Sequence, residues 1–223
     1  MANIDDFLNM IGNEAVTYNN GKKILAFKDK LVLAPVEEHT NVFSEGNTKR
    51  GTYPSRIGVY MLDYSNEKCK FNVEANIELK DIVWLKLNAE KCVFFNSDFK
   101  WEEDPKIIAS KKGPDGRAPV TSIRIFRNTK DTNGNEKKLP WYINITNGTG
   151  IPQKTLTGGT MMQKGSYKKD KELFINMSDK EFYYCLDHTL YYARHIWAFA
   201  VGAIQNTKEA FRRKQEYRNN SMK

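Results

Sequence analysis

Apolar and polar positions divide the chain into short alternating runs and a few helical ones. In Cys69–Glu78, the residues Cys69, Phe71, Val73, Ala75 and Ile77 alternate strictly with Lys70, Asn72, Glu74, Asn76 and Glu78. A period of two with one apolar face predicts a half-buried strand, and Arg56–Tyr64 supplies the other arm of a hairpin. A second hairpin is expected from Thr121–Arg127 and Trp141–Thr146, joined by a polar tip containing Asn133-Gly134. Its core face would carry Ile123, Ile125, Ile143 and Ile145, and its other face Arg124, Phe126, Tyr142 and Asn144. Lys23–Phe27, Leu31–Pro35, Thr155–Gln163 and Glu172–Asn176 read as further short strands, after a polar lead-in at Thr17–Gly21. Glu37–Pro54 and Asp98–Pro119 read as loops, the second containing the turn Pro114-Asp115-Gly116, where proline presets φ and glycine tolerates a positive one.

Three segments carry the helical period. Residues 3–11 place Ile4, Phe7, Leu8 and Ile11 on one side, with Asn3 or Asp5 as cap and Gly12 as stop. Leu79–Phe95 fits either period, and the good helix formers Ala89-Glu90-Lys91 decide for a helix. The longest element runs from Ser178 to about Arg218 and opens with Ser178-Asp179-Lys180-Glu181, a capping box. From Phe182 to Ile204 it is apolar or aromatic on nearly every side, which predicts a buried helix. Beyond Ile204 it turns basic, with Lys208, Arg212, Arg213, Lys214 and Arg218.

The expected class is therefore α+β, with antiparallel hairpins, two main helices and a long C-terminal helix. Four short strands and a helix are followed by four more strands and a longer helix. This order resembles the twice-repeated ββββα layout of the Whirly proteins and their mitochondrial RNA-binding relatives, which bind single-stranded nucleic acid on a sheet face. The resemblance rests on element order over about 190 residues. It implies one domain of two similar halves, about 20–96 and 119–218, sharing one core.

Composition narrows the compartment and the partner. The 223 residues are enough for a large core. Three widely spaced cysteines, Cys69, Cys92 and Cys185, make neither a disulfide framework nor a zinc motif, which favours a reducing, cytoplasmic setting. The N-terminus lacks the basic and apolar regions of a secretory signal. Asp187, His188, Arg194 and His195 interrupt the one helix long enough to span a bilayer, so no membrane role is expected. Residues 1–100 carry 13 Lys and Arg against 14 Asp and Glu, while residues 101–223 carry 22 against 13. A positive field confined to the second half points to a polyanionic partner.

Single-strand binders combine basic grooves with aromatics on which bases stack. The residues that could do this are Arg124, Phe126, Arg127 and Tyr142 on the second hairpin, Lys137 and Lys138 on its arm, then Lys154, Lys164, Tyr167, Lys168 and Lys169. Arg212 and Arg213 form a second basic patch. The expected function is non-catalytic binding of single-stranded DNA or RNA, in replication, recombination or strand protection, in a phage or mobile-element setting. The alternative is an inhibitor that binds a host or phage protein of nucleic-acid processing or defence, with Phe99, Trp101 and Glu102-Glu103-Asp104 as its contact surface. Excess apolar helix surface predicts a homo-oligomer.

Other constellations carry less. Cys185, His188, Tyr192 and His195 share a helical face, but two histidines two turns apart stand roughly 10 Å apart and do not chelate one ion. Structural or interfacial histidines are expected. Asp63 with Glu78-Leu79-Lys80 matches a metal-dependent nuclease pattern, yet the two carboxylates fall on different strand faces. Gly148-Thr149-Gly150 and Gly158-Gly159 are turn glycines without the Gly-Lys-Ser/Thr of a phosphate loop. No cofactor and no metal are expected.

Overall fold

The computed structural model describes residues 14–30, 56–65, 71–156 and 158–195. The fold they form belongs to the mixed α+β class. A first antiparallel sheet has the order β1-β2-β3-β4, with β1 Glu14–Asn19, β2 Lys23–Lys30, β3 Arg56–Asp63 and β4 Phe71–Glu78. Helix α1, Leu79–Phe95, follows β4 directly. The second sheet is built from β5 Phe99–Glu102, β6 Lys106–Ile107, β7 Ala118–Arg127, β8 Trp141–Gly150 and β11 Lys168–Met177, ordered β11-β8-β7-β5 with β6 also on β7. A short arm, β9 Pro152–Lys154 against β10 Thr160–Met162, leaves the end of β8. Helix α2 occupies residues 179–195.

Alternation decides which residues enter the core. Leu25, Phe27, Val59, Met61, Val73, Ala75 and Ile77 line one face of the first sheet, and Ile123, Ile125, Ile143, Ile145, Leu173 and Ile175 line one face of the second. Both faces, and both helices, feed one continuous hydrophobic core. The expected core face of the second hairpin is thus the observed one. The capping box forms as well: the Ser178 backbone N–H and hydroxyl donate to Glu181, and the Glu181 N–H donates back to Ser178 Oγ.

Several expectations need correction. Thr17–Gly21 is not a plain polar lead-in, because Val16 and Tyr18 turn Glu14–Asn19 into an edge strand on the core. Asp98–Pro119 contains two strands and a 3-10 turn at Ala109–Lys111, with Phe99 and Trp101 packed on the core. Thr155–Gln163 is not one strand, since the chain turns through Gly158 at φ +83° between β9 and β10. Helix α2 is not buried on every side over its described length. Phe182, Cys185, Leu186, Thr189, Leu190 and Ala193 face the core, whereas Tyr184, Asp187, His188, Tyr191, Arg194 and His195 are exposed. The helix read at residues 3–11, the strand at Leu31–Pro35, the loop at Glu37–Pro54 and the basic stretch beyond Ile204 lie outside the described residues.

Two polar devices lock the layers together. Asn147 reads the outer edge of β4 as a neighbouring strand would: its Nδ2 donates to the Glu74 carbonyl at 2.7 Å and its Oδ1 accepts from the Glu74 N–H at 2.9 Å. The second is a clasp at the start of α2. Arg127, only 3% exposed, donates through Nε and Nη2 to the two Asp179 oxygens at 2.8 and 3.0 Å, and through Nη1 to the Ser97 carbonyl at 2.7 Å. Trp141 donates to Asp179 at 2.7 Å, and its ring stacks on Phe182 at 3.9 Å. A paired, fork-shaped guanidinium satisfies its donors here in a way a lone buried charge could not.

The Arg127 guanidinium and then the Trp141 N–H hold the Asp179 carboxyl below the usual range, against the opposing effect of burial. A depressed carboxyl contributes stability in full above its unfolded pKa of about 3.9 and loses it as pH falls toward the lower folded value. Asp179→Asn should therefore cost about 3 kcal/mol at neutral pH. In denaturant titrations across pH, the two stability curves should converge as pH drops below about 4. Asn147→Ala, which removes both bonds to β4, should cost about 1–3 kcal/mol in the same measurement.

Candidate nucleic-acid interface

Strand alternation leaves a second face on the five-stranded sheet. The register sets Phe126 opposite Tyr142 and Asn176, and Arg124 opposite Asn144 and Phe174. Across β7, β8 and β11 this produces a row of three rings, with Phe126–Tyr142 centroids 6.1 Å apart and Tyr142–Phe174 centroids 5.1 Å apart. Phe174 is 46% exposed, while Phe126 and Tyr142 are half-buried. A cation closes each end of the row. Lys100 Nζ of β5 lies 5.8 Å from the Phe126 centroid. Lys23 Nζ of β2 lies 4.1 Å from the Phe174 centroid and donates to the Phe174 carbonyl at 2.9 Å.

The electrostatics of this face are mixed but net basic at the rings. Arg124 is exposed and approaches Glu102 at 3.7 Å, and Lys100 pairs with the same carboxylate at 3.0 Å. Glu172 is held below its usual pKa chiefly by Lys169, then by Asn144. Burial, then Glu172, pushes the Tyr142 phenol up, so it remains neutral. Ser122, Asn144 and Thr146 form a buried polar floor beside the rings.

The predicted residues divide into groups. Arg124, Phe126 and Tyr142 are brought together on one surface. Arg127 is not among them, because it lies one residue further along β7, on the core side, and is consumed by Asp179. Lys137 and Lys138 are exposed on the β7–β8 connection, near the Phe126 end. Lys154, Lys164, Lys168 and Lys169 are exposed at the opposite end of the sheet, where Lys169 pairs with Glu172 at 2.6 Å. Tyr167 is partly buried over Gly148, where an added Cβ would fall 2.9 Å from its ring. Arg212 and Arg213 lie outside the described residues. Phe174 is the residue that sequence reading missed, although the alternation of Leu173, Phe174 and Ile175 signals it. Lys23 and Lys100 carry no such signal, since their places depend on how the two sheets and the edge strand β5 come together.

The remaining constellations do not converge on chemistry. Asp63 and Glu78 stand at opposite ends of the β3–β4 ladder, where Asp63 pairs with Phe71 and Glu78 with Arg56. Asp63 accepts from Ser65, and Glu78 pairs with Lys80 at 2.7 Å. Burial pushes the Cys185 thiol up to about 12, and Tyr192 donates to Asp29 at 3.0 Å. His188 and His195, expected to be structural or interfacial, join Tyr184 and Tyr191 in an exposed stacked ladder along α2. Among the described residues, no group of three or more His, Cys, Asp or Glu could hold a metal ion, and no helix is long and apolar enough to cross a membrane. Phe99 packs between Trp84 and Trp141 at 5.6 and 5.8 Å, so it does not stand free as a contact residue.

These features define a protein of the α+β class with an aromatic row on the outer face of its second sheet. No family model, curated protein or solved structure matches the chain.

Arg124 and Arg127 should separate in a stability assay. Arg127→Ala strands Asp179 and the Ser97 carbonyl and should cost about 3 kcal/mol or more. Arg124→Ala should stay within about 0.5 kcal/mol of the parent in thermal or chemical unfolding.

Proposed function

We propose that the protein binds single-stranded DNA or RNA on the outer face of the five-stranded sheet and does so without catalysis. The observation that carries this is the row Phe126–Tyr142–Phe174 with Lys23 and Lys100 at its ends. Stacked bases contribute about 1–3 kcal/mol each, whereas exposed phosphate contacts are screened by salt. The rings then set affinity at physiological salt, and Lys100, Arg124, Lys137 and Lys138 set its salt dependence. The sequence of four strands and a helix, then a second sheet and a helix, supports a Whirly-like reading of two halves around one core. A cytoplasmic protein of replication, recombination or strand protection, encoded by a phage or mobile element, fits this reading.

One feature favours the second reading, an inhibitor that docks on a protein. Val83, Trp84, Leu87 and Phe94 of α1 are exposed, Phe94 by 82%. Such a surface suits a protein partner or a second copy of the chain.

Fluorescence anisotropy with labelled single-stranded DNA, RNA and duplex separates the two. Phe174→Ala should weaken single-strand binding about 5- to 150-fold, and Tyr142→Ala by a similar factor, with little change in folding. Absence of any oligonucleotide binding by the parent protein at low salt would exclude the first reading and favour the second.

A further inference from the structure

A groove of about 1050 Å³ lies where the first sheet meets the second, lined by Lys30, Arg56, Glu74 and Asn76 on one side and by β6, the 3-10 turn, β7 and β8 on the other. Its charges are unevenly satisfied. Glu74 contacts Lys30 and Glu103 contacts Lys106, which leaves Arg56 and Lys111 facing only Asp104 among the lining carboxylates. Neither Arg56 nor Lys111 has an ion-pair partner among the described residues. The Nε of Arg56 is buried and has no hydrogen-bond acceptor. Ser110, Thr121 and Thr160 add hydroxyls to the same lining.

We propose that this groove is an oxyanion site that takes a phosphate group, with Arg56 and Lys111 as its principal contacts. A groove-lining guanidinium without a carboxylate partner is suited to phosphate oxygens, and a lysine supplies a second point of charge. Lys30 is held below its usual pKa chiefly by burial and then by Lys28, Lys111 and Arg56, which is the field a bound anion would relieve. The phosphate is carried either by the backbone of the strand on the aromatic row or by a free phosphate compound. The first source rests on the proposed function. Strands β7 and β8 serve both places: Thr121 and Asn147 line the groove, and Phe126 and Tyr142, five residues away, stand roughly 17 Å along the same strands on the opposite face, so a bound strand would reach the groove around the sheet's end.

The test uses inorganic tripolyphosphate as probe, measured by isothermal titration calorimetry on the full chain at low salt. The parent should bind it saturably, and Arg56→Gln with Lys111→Gln should weaken binding at least about tenfold, close to 1.4 kcal/mol. Lys111→Gln alone, an exposed change in a short turn, should weaken it in the same direction if the double variant folds poorly. Failure of the parent to bind, or undiminished binding by both variants, overturns the site. Oligonucleotides of about 4 and about 16 bases then identify the source. If the phosphate belongs to the bound strand, the double variant lowers the salt slope by about 1 for the longer oligonucleotide only. Equal slopes together with lost tripolyphosphate binding assign the site to a free phosphate compound. Tyr142→Ala with Phe174→Ala should leave tripolyphosphate binding unchanged, so failure of the row and failure of the groove are read separately.

Discussion

The pairing of Arg127 with Asp179 is the contact on which the arrangement of the second sheet depends. It joins the last residue of β7 to the first turn of α2, and through Trp141 and the Ser97 carbonyl it also holds β8 and the end of α1. A guanidinium with 3% exposure cannot be left without its carboxylate. Its side chain is therefore committed to the core side, and alternation then commits Phe126 and Arg124 together to the other face. One interior ion pair thereby sets which side of the sheet carries the aromatic row.

The row has a physical logic that does not require catalysis. Large rings lying on a sheet would ordinarily be covered by a helix, but the buried faces of both described helices pack on the common core, and α1 turns Val83, Trp84, Leu87 and Phe94 outward. Phe174 is left at nearly half exposure, and lysines from β2 and β5 close the ends of the row. Rings supply stacking area at small entropic cost, and flanking cations supply attraction to a backbone. The first sheet contributes Lys23 to this surface and its β4 edge to Asn147, so polar contacts tie the two sheets together at β11 and at β8.

Legibility in the sequence followed the strength of local pattern. Strict alternation in Phe71–Glu78, the helix Leu79–Phe95 and the Ser178–Glu181 capping box all appear where the residues place them. Phe99–Glu102 was hidden because four residues carry too little period to stand out from a polar stretch. Charge groups Arg127 with Arg124, although its parity with Ile123 and Ile125 places it inside. Charge and alternation conflict there, and the carboxylate of Asp179, 52 residues away, resolves the conflict. On α2, aromatic content suggests burial, yet Tyr184, His188, Tyr191 and His195 cover one another at the surface. Lys23 and the groove around Arg56 arise from tertiary contacts that no local pattern encodes.

The most direct measurement is an NMR titration of the labelled protein with a single-stranded oligonucleotide, read at backbone amides and aromatic side chains. Shifts should concentrate on the outward residues of β7, β8 and β11, above all Phe126, Tyr142 and Phe174, while Arg127, Trp141 and Asp179 stay nearly fixed. Shifts confined to α1 or α2, or saturable binding that leaves those three rings unmoved, would contradict the sheet face as the binding surface.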